Sequence, residues 1–305
     1  ESSLSRRTSS GMCTEIPTVL VMAARDHTLT DTPDESLDVP KSMAAMRRHK
    51  GWTTGYLPAL KDEIGGLRAM GTWEEVDRKP DMVPIQTHMV ATNRGKWKLR
   101  IVTQGNRTTE GIHFIISATS MAGGIAVKTV LSFCAGQRWM VCSCDFTKAF
   151  LNAKVGKPDI AIELPELPPE MVGGEFGTQR GRGKVGLLKR ALYGLRDSPR
   201  LWQQTLMCFL IDVVGVRVLV SDRNAFIWAW RGHRMIGCVN VDDLLFGVSS
   251  DAIRVEFMRI LESRFKLTGG DRLVTEYCGL EVDQDLAAQT TKVHQSDFRR
   301  GMLRK

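Results

Sequence analysis

The segment CVNVDDLLFG, residues 238–247, constrains this chain more than any other. MIGCVNV (235–241) and LLFGV (244–248) each have the composition of a strand, and two residues separate them. That spacing predicts a β-hairpin with Asp242 and Asp243 at or beside its tip. Asp is common in tight turns, and a plain turn is the simplest account of the pair. Yet adjacent carboxylates repel each other, and burial between apolar runs makes the repulsion worse. A divalent cation removes both penalties. Mg²⁺ takes hard oxygen ligands, commonly one or two carboxylates together with substrate phosphates. Such a site calls for a further carboxylate at another strand end.

RWMVCSCDFTKAFL (138–151) supplies a candidate. It opens as an apolar strand, runs into Asp145 and continues into the more helical KAFLNA. Two Mg²⁺ ions on Asp145, Asp242 and Asp243, with Mn²⁺ as the alternative ion, would form a phosphoryl-transfer device. One ion lowers the pKa of an attacking hydroxyl and the other steadies a leaving pyrophosphate.

A polyanionic partner fits the charge. The chain has 305 residues and a formal net charge of +8. Residues 1–40 hold three arginines and seven acidic residues, so the remainder carries +12. Residues 82–109 contain no Asp or Glu. There, RGKWKLRIV (94–102) spaces Arg94, Lys96, Lys98 and Arg100 two apart, on one face of a strand. A row of cations without acids repels itself and makes sense against phosphate. A solvated edge strand blunted by lysine is the competing reading.

The first 40 residues, rich in Ser and Thr and then acidic, are expected to be disordered. Further on, GYLPALKDEIGGLRAM (55–70) predicts a helix burying Leu60, Ile64, Leu67 and Met70, and GTWEEV (71–76) a turn into a strand. GGEFGTQRGRGKVG (173–186) reads as a glycine-rich surface loop without the spacing of a phosphate-binding P-loop. A helix is expected over 198–214, capped by Ser198, with Pro199 in its first turn. Its buried stripe would be Leu201, Trp202, Leu206, Phe209, Leu210 and Val213. Another is expected over 251–266, with Ile253, Phe257, Ile260, Leu261 and Phe265 inward. EYCGLEVDQD (276–285) reads as a strand. The order of elements is α+β and fits an antiparallel sheet backed by helices on one face.

Seven cysteines at irregular spacings, with no signal peptide and no run of about 18 apolar residues, point to reduced thiols in an intracellular, non-membrane protein. Cys142 and Cys144 have no partner pair of the spacing a zinc site needs. A glycosidase-like carboxylate pair is disfavoured, because adjacent aspartates cannot face each other across a cleft.

Several blocks together carry a family resemblance. GTWEEV (71–76) resembles G-T-W-E-x-V, KLRIVTQG (98–105) resembles K-A-R-L-V-A-K-G, and CDFTKAFLNA (144–153) resembles D-V-x-x-A-F-L-N-G. LYGLRDSPRLW (192–202) resembles L-Y-G-L-K-Q-S-P-R-x-W, VNVDDLL (239–245) resembles Y-V-D-D, and YCGLEV (277–282) resembles F-L-G-I-E-V. These are the motifs of the reverse transcriptase of copia-type LTR retrotransposons, and the likeness runs from about residue 41 to the C-terminus.

The resemblance implies a right-hand polymerase fold: fingers and palm over 41–285, with the start of a truncated thumb over 286–305. It implies Asp145, Asp242 and Asp243 as catalytic metal ligands. Lys98, Arg100, Phe146, Phe150, Tyr193 and Gly194 would lie at the incoming nucleotide, with Phe150 as the ring that excludes a ribose 2′-hydroxyl. Asn240, Val241 and Gly279 would lie at the primer terminus. Trp73, Leu192 and Trp202 are expected in the core. Expected partners are an RNA or DNA template-primer and dNTPs. RNase H and integrase parts of the same polyprotein are expected but absent here, which suggests a piece of an element. The expected location is a cytoplasmic particle or the nucleus. Asn240 stands where the family has Tyr, Thr103–Gln104 where it has Ala-Lys, Thr147–Lys148 where it has Lys-Thr, and Asp197 where it has Gln. An inactive nucleic-acid-binding remnant is the alternative reading.

Overall fold

In the computed structural model, residue 40 and residues 42–303 are described, apart from 94, 95, 110, 112, 114–121, 174, 175, 178, 179 and 182. The expected disorder of the N-terminal segment, Arg94, and part of the glycine-rich loop therefore lie outside the described residues.

The first half holds α1 (Met43–Arg48), α2 (Leu57–Ala69), β1 (Trp73–Asp77), β2 (Thr87–Asn93), β3 (Trp97–Thr103) and α3 (Gly124–Gln137). Then come β4 (Met140–Phe146), β5 (Ala161–Ile162), β6 (Lys184–Leu188), α4 (Ser198–Phe209), β7 (Arg217–Val218), β8 (Ala225–Trp230), β9 (His233–Asn240) and β10 (Asp243–Val248). The chain continues through α5 (Asp251–Glu262), β11 (Leu267–Gly269), β12 (Glu276–Tyr277), β13 (Leu280–Asp285), β14 (Thr290–His294) and α6 (Ser296–Leu303). No helix among the described residues is long and apolar enough to cross a membrane.

The central sheet is antiparallel, in the order β11-β4-β10-β9-β8-β7. Its residues alternate between two buried faces. Cys142, Cys144, Phe146, Leu244 and Phe246 pack against Trp202 and Leu206 of α4 and Ile253, Phe257 and Leu261 of α5. Val141, Leu245, Ile236 and Cys238 pack on the other side against Val127, Val130, Leu131 and Cys134 of α3, with Tyr277 and Val282 of the β12-β13-β14 sheet. Helices on one face were expected; both faces are covered. That is why β9 and β10 read as unbroken apolar runs rather than alternating ones.

A second core surrounds α2. Leu60, Ile64 and Leu67 pack with Leu99 and Ile101 of β3 and with Leu188 and Leu192. The β2-β3 hairpin lies on this core with Leu99 and Ile101 inward and Lys98 and Arg100 outward, as the alternation requires.

Several local expectations are corrected. The hairpin loop is Val241–Asp242, not Asp242–Asp243: Asp243 already pairs with Asn240 of β9 and Asp145 of β4. Ser198 lies inside α4 and does not cap it; its hydroxyl donates to the Leu192 carbonyl at 2.7 Å. The end of that helix winds as a π-turn over Leu210–Val214, which brings Val214 inward and leaves Val213 exposed. Helix α5 stops at Glu262. EYCGLEVDQD is two strands, joined at Cys278 (φ 49°) and Gly279 (φ 73°), the paired left-handed positions of a type I′ turn. The boundary drawn at 285/286 falls in the connection between β13 and its hydrogen-bonded partner β14.

The LYGL and SPRLW motifs connect the two cores. Gly194 (φ 88°) presses its Cα face against the backbone of Thr103, and a Cβ there would overlap the Thr103 carbonyl. Thr103 in turn donates its N–H and its hydroxyl to the Tyr193 carbonyl, at 2.8 and 3.1 Å. Trp202 is fully buried, as expected of a core residue, yet its indole N–H reaches the Val241 carbonyl at 2.7 Å and so holds the hairpin tip. Leu192 and Trp73 are buried too.

Two substitutions separate these constraints. Gly194→Ala is expected to lose ~2 kcal/mol or more, from left-handed strain plus the backbone overlap. Gly65→Ala, in the interior of α2 with open space around its Cα, should instead gain up to about 1 kcal/mol. Denaturant titration of both variants checks this; equal effects would remove the latch role of Gly194.

Candidate active site

Residues from α2, β3, β4 and the β9-β10 loop border one cavity of about 340 Å³. Lys98 and Arg100 contribute from β3, Asp145 from the end of β4 and Asp242 from the hairpin loop; Phe150 and Tyr193 lie between. Two cations of one strand thus share a cavity with two carboxylates of the other core, as the two-residue spacing of the cations allows.

Asp145 stands opposite Asp243 in the β4-β10 ladder, so both side chains lie on the same sheet face. Phe146 donates its N–H to the Asp242 carbonyl at 3.0 Å, which fixes the loop against β4. Val241, the other loop residue, has φ 55°. A β-branched residue in that region is strained. The Trp202 donor and the ladder on either side hold it there.

The carboxylates disturb one another. Burial, then Asp242 and Asp145, push Asp243 up to about 6. Burial and then Asp242 also raise Asp145, while Lys98 and Arg100 pull it back down. Among the described residues, no three His, Cys, Asp or Glu side chains form a ready metal-binding group. Asp145 and Asp242 open into the cavity; Asp243 is approached by the Cys278 thiol at 3.8 Å, and Cys278 accepts from Asn240 Nδ2 at 2.8 Å. The donor set nonetheless fits a hard divalent ion. Its oxygens repel one another without a counter-charge, and Mg²⁺ completes its shell with phosphates and water rather than an all-protein cage.

Tyr193 and Phe150 pack ring to ring at 5.5 Å, and the Arg100 guanidinium lies over the Tyr193 ring at 5.6 Å. Burial and the nearby Glu63 push the Tyr193 hydroxyl up to about 12, so it stays protonated. Phe146, expected at the nucleotide, borders the cavity, and its ring is buried against Trp202 and Phe265. Neighbouring residues of a strand point to opposite faces, and Asp145 takes the open one. Gly194, Asn240, Val241 and Gly279 do not line the cavity. Gly194 acts through backbone packing, and Asn240 and the Cys278–Gly279 turn lie against Asp243.

Sequence reasoning missed Asp62, Glu63 and Lys148, which also line the cavity. Glu63 is buried, accepts from the Ile101 N–H at 3.2 Å and pairs with Lys148 Nζ at 3.5 Å. Glu63 lies on the same side of α2 as Leu60, Ile64 and Leu67, so a carboxylate on a buried stripe was the available signal.

The family described as "Reverse transcriptase (RNA-dependent DNA polymerase)" matches residues 70–305. Among curated proteins, the retrovirus-related Pol polyprotein from transposon RE1 of Arabidopsis thaliana is 24% identical over 224 residues, covering 70% of this chain and 14% of that protein. The transposon Ty1-DR5 Gag-Pol polyprotein of Saccharomyces cerevisiae is 26% identical over 197 residues, covering 62% and 10%. The chain thus spans a small fraction of the length of these relatives. Among solved structures, the foamy viral protease-reverse transcriptase in complex with dsDNA aligns with a TM-score of 0.49 and 15% identity, covering 83% of this chain and 44% of that one. The chain belongs to the reverse transcriptase family, in its copia-type branch.

Proposed function

We propose that this chain carries out RNA-directed DNA synthesis, adding a nucleotide from a dNTP to the 3′-hydroxyl of a primer on an RNA or DNA template. One observation carries the reading: Lys98 and Arg100 face Asp145 and Asp242 across a single cavity. A nucleoside triphosphate is the substrate class that needs both sides. Its phosphates pair with the fingers cations, and its reacting end must meet the carboxylates.

Each residue then has a task. Lys98 and Arg100 hold the triphosphate. Phe150, backed by Tyr193, borders the space for the sugar. Asp145, Asp242 and Asp243 would hold two Mg²⁺ ions, or Mn²⁺ in their place. Such ions supply acidification of the primer hydroxyl and stabilisation of the departing pyrophosphate. Asn240, through Cys278, borders the palm face beside Asp243, where the primer end would lie. The alternative of an inactive binding remnant is not favoured, because the sequence keeps all three carboxylates and both β3 cations.

Primer extension tests the proposal, with oligo(dT) on an RNA template, Mg²⁺ and dTTP. The parent chain should extend. Asp242→Asn should lower incorporation by at least about a hundredfold while template-primer binding persists. Incorporation unchanged in that variant would overturn the assignment.

The carboxylates also predict a cost in stability. An acid whose pKa is raised by folding keeps its proton longer in the native state than in the unfolded chain. The resulting contribution is complete below the ordinary value of 3.8 and is lost as pH rises to about 6. Asp243→Asn should therefore raise the ion-free melting midpoint by at least about 2 °C near pH 8. The gain should shrink below about pH 4. Melting curves in chelator at both pH values check this, and a variant no more stable at the higher pH would contradict it.

A further inference from the structure

Lys148 lies three residues after Asp145, on the turn between β4 and the short 3₁₀ helix Ala149–Asn152. Its backbone is left-handed, at φ 53°. A non-glycine residue in that region is uncommon, and such residues gather at functional sites. The side chain borders the same cavity as Lys98, Arg100, Asp145 and Asp242.

Its ammonium is held in a specific berth. Glu63 Oε2 lies 3.5 Å from Lys148 Nζ. That is longer than a tight charge-assisted hydrogen bond. The berth exists because residue 66 is glycine: a Cβ there would overlap the Lys148 ammonium. Glycine inside a helix is unfavourable, and its neighbour Gly65 has only open space around it. Gly66, by contrast, makes room for a cation. Glu63 has a second partner, since its Oε1 accepts from the Ile101 N–H. It keeps that partner if Lys148 leaves.

We infer that Lys148 is a third triphosphate-positioning cation, parked on Glu63 and drawn off it when a nucleoside triphosphate enters the cavity. The inference rests on the polymerase reading and deepens it. A triphosphate brings about four negative charges, and β3 offers two cations. Lys148 is the further cation bordering the cavity, on a long flexible stem, with an ion-pair partner that the triphosphate can outcompete. The exchange also links substrate to frame: Glu63 belongs to a helix of the fingers core, whereas Lys148 follows a palm carboxylate.

The test is the binding of dTTP to the full chain on a template with a dideoxy-terminated primer, in Ca²⁺ so that no bond forms. KM and kcat are measured alongside in Mg²⁺. Lys148→Gln should weaken dTTP binding about tenfold, the loss typical of one charge-assisted hydrogen bond. It should raise KM with little change in kcat, and Lys148→Arg should restore most of the affinity. Glu63→Gln and Gly66→Ala should both strengthen binding by releasing the ammonium. Gly66→Ala also covers the case in which loss of Lys148 impairs folding, since it displaces only a flexible chain end. In the Lys148→Gln background, Gly66→Ala should have no effect on dTTP binding. A Lys148→Gln protein that binds dTTP as the parent does, or a Gly66→Ala effect that persists without Lys148, would overturn the role of Lys148 alone. A parent that binds no dTTP would overturn the polymerase reading together with it.

Discussion

Strand β10 is hydrogen-bonded along both edges, to β9 and to β4, and it is buried on both faces. A slip of one residue against β4 would turn Asp243 toward the core and bring Leu244 to the surface. Nothing in the strand can absorb that, because Leu244 and Phe246 fill the core on one side and Leu245 the core on the other. The pairing of Asp243 with Asp145 is therefore fixed by apolar packing farther down the strands. The charged end repels itself, and the apolar end is what holds it in place.

The loop at the end of these strands is held by equally indirect means. Val241 would relax from its left-handed conformation if it could. Its carbonyl is bound by an indole N–H from inside the core, and Asp242 is tied to β4 through its own carbonyl. The helix that supplies the indole also supplies Ser198, which binds the Leu192 carbonyl just before Tyr193 and Gly194. One helix start thus positions both the carboxylate loop and the segment beneath β3. The long LYGLRDSPRLW motif follows from this double duty, because a change in either anchor would move one side of the cavity relative to the other.

Much of this was legible in the sequence, for reasons that are physical. The period of two in the β3 cations, and the two-residue gap between apolar runs, are local signals that depend on no distant residue. Helix α3 was not legible. Its buried residues, among them Val127, Val130, Leu131 and Cys134, are interleaved with exposed Ile125 and Phe133, which blurs the apolar stripe. The one-residue error in the hairpin loop arose because the loop is chosen by pairing with β4, a partner far away in the chain. The π-turn that exposes Val213 has no local marker either. The inward ring of Phe146 was legible, since it follows Asp145 on a strand and faces the other way.

The same contrast explains why the buried pairing of Glu63 with Lys148 escaped notice. In the sequence, Glu63 is one charge among Lys61, Asp62 and Arg68 on a helix, and Lys148 is a transposition within a motif. Only the fold brings them together, and it does so where a buried carboxylate would otherwise have one lone backbone donor. A buried ion pair is a weak source of stability, because desolvation offsets most of the attraction. Two glycines in the middle of α2 weaken that helix further. The Ile101 N–H accounts for the carboxylate at 63, since an apolar side chain there would leave that buried donor unpaired. The lysine at 148, the notch at Gly66 and the left-handed backbone under the lysine are not needed for that bond. They are what a cavity needs if one of its cations must be available to an anion that comes and goes.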